Sequence, residues 1–164
     1  MDRAPINAMV FPYRRKTESY EFEIFNRADS EDDFWQGIWG GAEDDETPIE
    51  AARRASWEEA WIDPDSDFIQ MDSICSIPTS IFRGTGWGDD IYVVHEHAFG
   101  VDVEGQEITL SHEHTDYRWV SLGEAFHLLK HDSNRAALGE FDQRLTRIGP
   151  DRSKSRVIER RRKR

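Results

Sequence analysis

From Thr47 to Asp63 the chain has one proline, at position 48, and no glycine, and the run is bounded by a double glycine at Gly40-Gly41 and by Pro64. Thr47 can cap a first helical turn. Pro48 suits the first helical position, where no N–H is required, and Glu50 stands where a capping-box acid would reach back. The segment therefore predicts a helix opening at Thr47-Pro48. At about 100° per residue, positions 55, 58 and 59 share an arc of roughly 100°, so Glu58 and Glu59 reach the same site. Adjacent carboxylates repel each other and want a cation between them. Oxygen-only ligands favour a hard ion, Mg²⁺ or Mn²⁺, which keeps several waters and is completed by substrate phosphate oxygens. The competing account is a solvated helix face.

A chain of 164 residues that is 37% hydrophobic has length for one domain with a real core and no room for a second catalytic one. Cys75 is the single cysteine, so no intramolecular disulfide is expected, and no apolar run approaches the ~20 residues needed to cross a bilayer. The first residues are too polar for a secretory signal, which makes a cytoplasmic protein the expectation. Charge is unevenly laid out. Residues 151–164 carry eight Lys/Arg and two acids, a net of +6, against 13 basic and 31 acidic residues before them, a net of −18. We therefore expect a domain over residues 1–150 and a flexible basic tail over 151–164. The acidic body repels bare polyphosphate and argues against duplex nucleic acid, so a metal-complexed small anion is the better partner.

Asn7–Tyr13 and Tyr20–Arg27 read as a hairpin, Ala28–Asp33 as an acidic loop, and Phe34–Trp39 as a short apolar stretch leading to the glycines. Phe68–Ile77, Asp90–Val103 and Tyr117–Leu122 read as further strands, with Gly84–Gly88 a loop and helices at Ser121–Lys130 and Ser133–Ile148. This order predicts an α/β fold, a mixed sheet between helices. The pairs His95/His97 and His112/His114 have a spacing that can bind zinc on a strand, although polar residues of alternating strands account for them more simply.

Gly40, Glu46, Arg54, Glu58, Glu59 and Ile62 have the spacing of the Nudix box, and the chain resembles that hydrolase superfamily. Ala55, Ser56 and Trp61 depart from the pattern, which has a glutamate, an apolar residue and a glycine there. Asp33-Phe34-Trp35-Gln36, the Ser111–Ala125 stretch and Ser133–Leu138 resemble the branch of dATP or dihydroneopterin triphosphate pyrophosphohydrolases. The resemblance spans about residues 7–146 and implies an α/β/α sandwich. It also implies a Mg²⁺- or Mn²⁺-dependent enzyme in which water attacks a phosphate of X-O-P-O-P and pyrophosphate is released.

On that resemblance Glu58 and Glu59 are metal ligands, Arg54 orients one of them, and Glu113 is the metal ligand or base that compensates for Ala55. Glu43 is the alternative third acid. Arg27 is expected to grip the terminal phosphates, with Trp35 and Trp39, and also Trp87, as candidates to stack on the base or pterin. The expected partner is a nucleoside or pterin triphosphate, with no membrane; a homodimer stays open. Loss of the carboxylate at position 55 favours one alternative, a weak or silent Nudix domain that binds a nucleotide or partner without cleaving it.

Overall fold

The structure is a computed structural model that describes residues 3–27, 34–82, 84–111 and 114–163. Strands β1 (Arg3–Arg15), β2 (Tyr20–Arg27), β3 (Trp35–Gln36) and β4 (Ile38–Glu43) precede helix α1 (Pro48–Ala60). There follow β5 (Phe68–Pro78), a 3-10 turn (Thr79–Ile81), β6 (Val93–Asp102), β7 (His114–Val120), α2 (Leu122–Leu128) and α3 (Asp132–Lys163).

β1 organises the sheet. It pairs in parallel with β6 over Ile6–Tyr13, antiparallel with β4 over Arg3–Val10, and antiparallel with β2 from Tyr13 onward. β2 pairs with β3 and β7, and β5 closes the far side against β6, so the sheet is mixed as the element order predicted. Asn7 to Tyr13 are all buried, because both faces of β1 are covered. Side chains alternate along the strand. Met9, Phe11 and Tyr13 join the core under α2 and α3, with Leu138, Phe141 and Leu145, while Ala8 and Val10 join the core under α1.

The helices dock through small residues. α1 presents Ala51, Ala52, Ala55 and Ala60 inward, which lets its backbone come close to the sheet. On the other side Phe141 of α3 occupies the space over Gly100, where an added Cβ would lie 2.0 Å from the ring. α1 starts as expected. The Thr47 hydroxyl accepts from the Glu50 N–H, and the Glu50 carboxylate accepts from the Thr47 N–H.

Several boundaries move from those expected. β1 begins at Arg3, because its first residues gain a partner in Glu43 of β4. β6 begins at Val93, since Ile91 closes a turn onto Gly88. β7 runs from His114 and stops at Val120, where Ser121 caps α2. The α3 backbone extends beyond Ile148; after Pro150 no glycine or proline interrupts a run rich in Arg and Lys, which are good helix formers. The acidic loop at 28–33 lies outside the described residues. No described helix is long and apolar enough to cross a membrane.

Candidate active site

The chain enters the candidate site along β4, where three consecutive residues do three different things. Trp39, opposite Met9, faces the α3 side and lines a cleft. Gly40, opposite Ala8, faces α1, and a Cβ built on it would meet the Ala55 Cβ at 2.6 Å, so only glycine lets strand and helix approach this closely. The Gly41 carbonyl accepts from Arg54 Nη2 at 2.7 Å.

Arg54 ties the loop before α1 to the helix itself. Its Nε and Nη2 grip both oxygens of Glu46 at 2.7 and 3.0 Å, and Nη1 reaches Glu58 Oε2 at 3.0 Å and Glu43 Oε1 at 3.6 Å. Glu46 Oε2 also accepts from the Glu43 N–H at 3.0 Å. The Arg54 hydrogen bonds hold the Glu46 carboxyl below its ordinary pKa, and the same bonds raise that of Arg54. Glu46 is thus tied to both the helix and the chain entering it.

Glu58 and Glu59 differ in setting. The Glu58 side chain is 56% exposed and held by Arg54, whereas Glu59 is buried, on the same side as Ala55. The Ser111 N–H donates to the Glu59 carbonyl at 2.9 Å, and His114 is the β7 partner of Arg27. Glu113, expected between these two anchor points in sequence, lies outside the described residues. Donors around the end of α1 are carboxylates and carbonyls, a set that suits a hard divalent ion. Among the described residues no three His, Cys, Asp or Glu side chains form a metal-holding group.

α1 ends at Trp61 in the left-handed conformation, φ 56°, with its N–H capping the carbonyls of Ser56 and Trp57. This explains the glycine that the Nudix pattern has here. A tryptophan takes up the strain, and its ring packs on Trp57 with centroids 5.4 Å apart.

The cleft on the α3 side has a volume of about 370 Å³ and draws on segments far apart in sequence. Arg27 stands at it with its guanidinium 5.7 Å from the Trp39 ring centre, so these two expected residues are together. Phe82 is nearly parallel to Trp39, with centroids 6.0 Å apart. Trp35 goes elsewhere. Its ring lies in the core with Arg118 over it at 5.0 Å, and its neighbours Phe34 and Gln36 line the cleft instead, as alternation along an extended chain requires. Trp87 backs Phe82 edge-on and donates to the Arg3 carbonyl.

Sequence reasoning gave no role to Glu96 or Asn134. Glu96, between the two strand histidines, is 5% exposed and accepts from Trp39 Nε1 at 2.7 Å, while His95 is exposed. Asn134 is buried at the start of α3, its Oδ1 accepting from the Gly37 N–H at 3.1 Å. The Ser133-Asn134-Arg135 phrase was the available signal. A larger hollow of about 540 Å³ lies between Arg14, Trp119 and residues 103–108. Glu104 and Glu107 give it the wrong sign for a polyphosphate, and Arg14 is already paired with Glu21 at 2.7 Å, so the smaller cleft beside Arg27 is the better candidate.

The NUDIX domain profile matches residues 4–141. The chain is 34% identical over 112 residues to the dihydroneopterin triphosphate diphosphatase of Haemophilus influenzae, covering 66% of this chain and 71% of that one. A Listeria monocytogenes protein assigned as a NUDIX hydrolase superposes with a TM-score of 0.79 at 37% identity, covering 89% of this chain and 97% of that one. The Escherichia coli dihydroneopterin triphosphate pyrophosphohydrolase superposes with a TM-score of 0.70 at 26% identity, covering 87% and 97%. With the box helix in place and the match spanning most of its length, this chain belongs to the NUDIX domain family of hydrolases.

Proposed function

We propose that the chain is a divalent-metal-dependent pyrophosphohydrolase of dihydroneopterin triphosphate or a dATP-like nucleoside triphosphate. The observation that carries this reading is the continuity of β4: Trp39 lines a ring-sized cleft, and the next two residues touch the box helix at Ala55 and Arg54. A ring held in the cleft extends its triphosphate past Arg27 toward the acidic end of α1. Similarity to dihydroneopterin triphosphate diphosphatases supports the same substrate class.

In this scheme Glu58 and Glu59 would hold Mg²⁺ or Mn²⁺, leaving Glu113 as the base. When bound, the ion lowers the pKa of water and offsets phosphate charge. Arg54 fixes Glu58 and the Gly41–Glu46 loop, so the acids are set before substrate arrives. Glu113 takes the proton of the attacking water. The water oxygen bonds to phosphorus, the P–O bond to the departing pyrophosphate breaks, and a monophosphate remains. Arg27 neutralises the terminal phosphates, and Trp39 stacks on the ring.

Ala55 favours a second reading, a weak or silent domain that binds without cleaving. A pyrophosphate-release screen with Mg²⁺ and Mn²⁺ over dihydroneopterin triphosphate, nucleoside triphosphates, dinucleoside polyphosphates and nucleotide sugars separates the two. Turnover is expected for the pterin or a nucleoside triphosphate. Binding without release across the whole panel would establish the silent domain instead.

A further inference from the structure

Glu96 is a carboxylate on the floor of the cleft, in the middle of β6, with Asn7 and Cys75 as its neighbours on the flanking strands. Burial raises its pKa, and hydrogen bonds from Trp39 and Ser133 work against that rise. Its recorded partners are these two neutral donors, and no ion pair with Lys or Arg is found for it among the described residues. A carboxylate offers about four acceptor positions, so a fully satisfied one at this depth calls for further N–H donors. Fixing the Trp39 indole needs only one oxygen. That leaves the charge without a structural reason.

The rest of the cleft indicates what those donors belong to. Trp39, Phe82 and Phe34 make apolar walls suited to a flat ring. Asn134 has committed its oxygen to Gly37, so its amide N–H₂ is the group left for a ligand, and it is a donor. The floor therefore accepts and the Asn134 side donates. A 2-amino-4-oxo pyrimidine ring, fused into a pterin or a guanine, carries the complementary row along one edge: an amino N–H, a ring N–H and a carbonyl oxygen. Adenine presents a ring-nitrogen lone pair beside its amino group, which faces a carboxylate with repulsion.

We infer that Glu96 is the specificity-determining residue of this cleft and selects a 2-amino-4-oxo ring over adenine. The inference rests on the reading above that the cleft holds the ring of the substrate. It narrows the substrate from ring-bearing triphosphates in general to pterin or guanine derivatives.

The test is equilibrium binding to the full-length, metal-free protein of 7,8-dihydroneopterin, deoxyguanosine and deoxyadenosine, none of which can be hydrolysed. Failure of catalysis therefore cannot mimic failure of this inference. A bidentate contact predicts that the pterin, the guanine or both bind roughly 10- to 100-fold more tightly than the adenine. The pterin-to-guanine ratio distinguishes the two sources of that edge. Glu96→Gln, whose amide both donates and accepts, should shrink or reverse the preference against adenine while the Gly37–Asn134 contact stays in place. Equal affinity for all three ligands in the parent protein overturns the inference without any variant, and so does an unchanged ratio in a folded Glu96→Gln protein.

Discussion

A buried carboxyl group with no donor facing it is unstable as an anion, and Glu23 on β2 is in that position. It is fully buried opposite Trp119, and among the described residues no hydrogen-bond donor reaches either oxygen. Burial pushes its pKa up to about 8, with Arg14 pulling weakly the other way. The folded state therefore keeps a proton that the unfolded chain loses near 4.5, so stability falls as pH rises from there to about 8. Glu23→Leu removes the group. It should gain on the order of 3 kcal/mol over the parent at pH 8 and much less at pH 5, measured by urea unfolding at both values. Parallel stability curves for the two proteins would show that Glu23 is charged or solvated in the fold. Arg54 is the opposite case: every acid it touches is on the box or the loop before it, so its paired charges also order the site.

At the level of elements, α1 was the most legible part of the sequence because its signals are local. Thr47, Pro48 and Glu50 act within one turn, and the capping box forms as the residues dictate. Its far end was less legible. The mismatch at Trp61 gains a physical meaning only once the left-handed backbone is known. Trp61→Gly should then be more stable than Trp61→Ala by about 1 kcal/mol, because alanine keeps the Cβ penalty and both variants lose the contact with Trp57. Thermal unfolding of the pair measures this. An alanine variant as stable as the glycine variant would mean the cap relaxes out of the left-handed region. β1, β2, β5, β6 and β7 were expected as strands, whereas β3 and β4 read only as an apolar stretch leading to the glycines, and strand ends were missed because pairing partners such as Glu43 for Arg3 are set by the sheet and leave no local mark.

Across the whole molecule the cleft was the least legible feature. Its lining comes from β1 and β2, the Phe34–Trp39 stretch, the end of β5, β6 and the start of α3, and nothing in any one stretch announces the others. Glu96 looked like the polar member of an alternating strand, yet the fold covers it to 5% exposure. Trp39 and Arg27, each beside a recognisable phrase, line the cleft, whereas Trp35 lies in such a phrase and belongs to the core. The net charge of −12 gives the molecule a field that repels free polyphosphate, and under the proposed function metal complexation and Arg27 offset that repulsion. We propose that Glu58 and Glu59 at the end of α1, together with Glu113, drive hydrolysis of a triphosphate bound in the cleft. The most direct test of this is the rate of pyrophosphate release from dihydroneopterin triphosphate at saturating Mg²⁺, in the parent and in Glu59→Gln and Glu113→Gln. Each variant removes a charge while keeping size, so each should lose about 100-fold or more in turnover with its melting temperature preserved. Rates within about threefold of the parent in both variants would contradict the account.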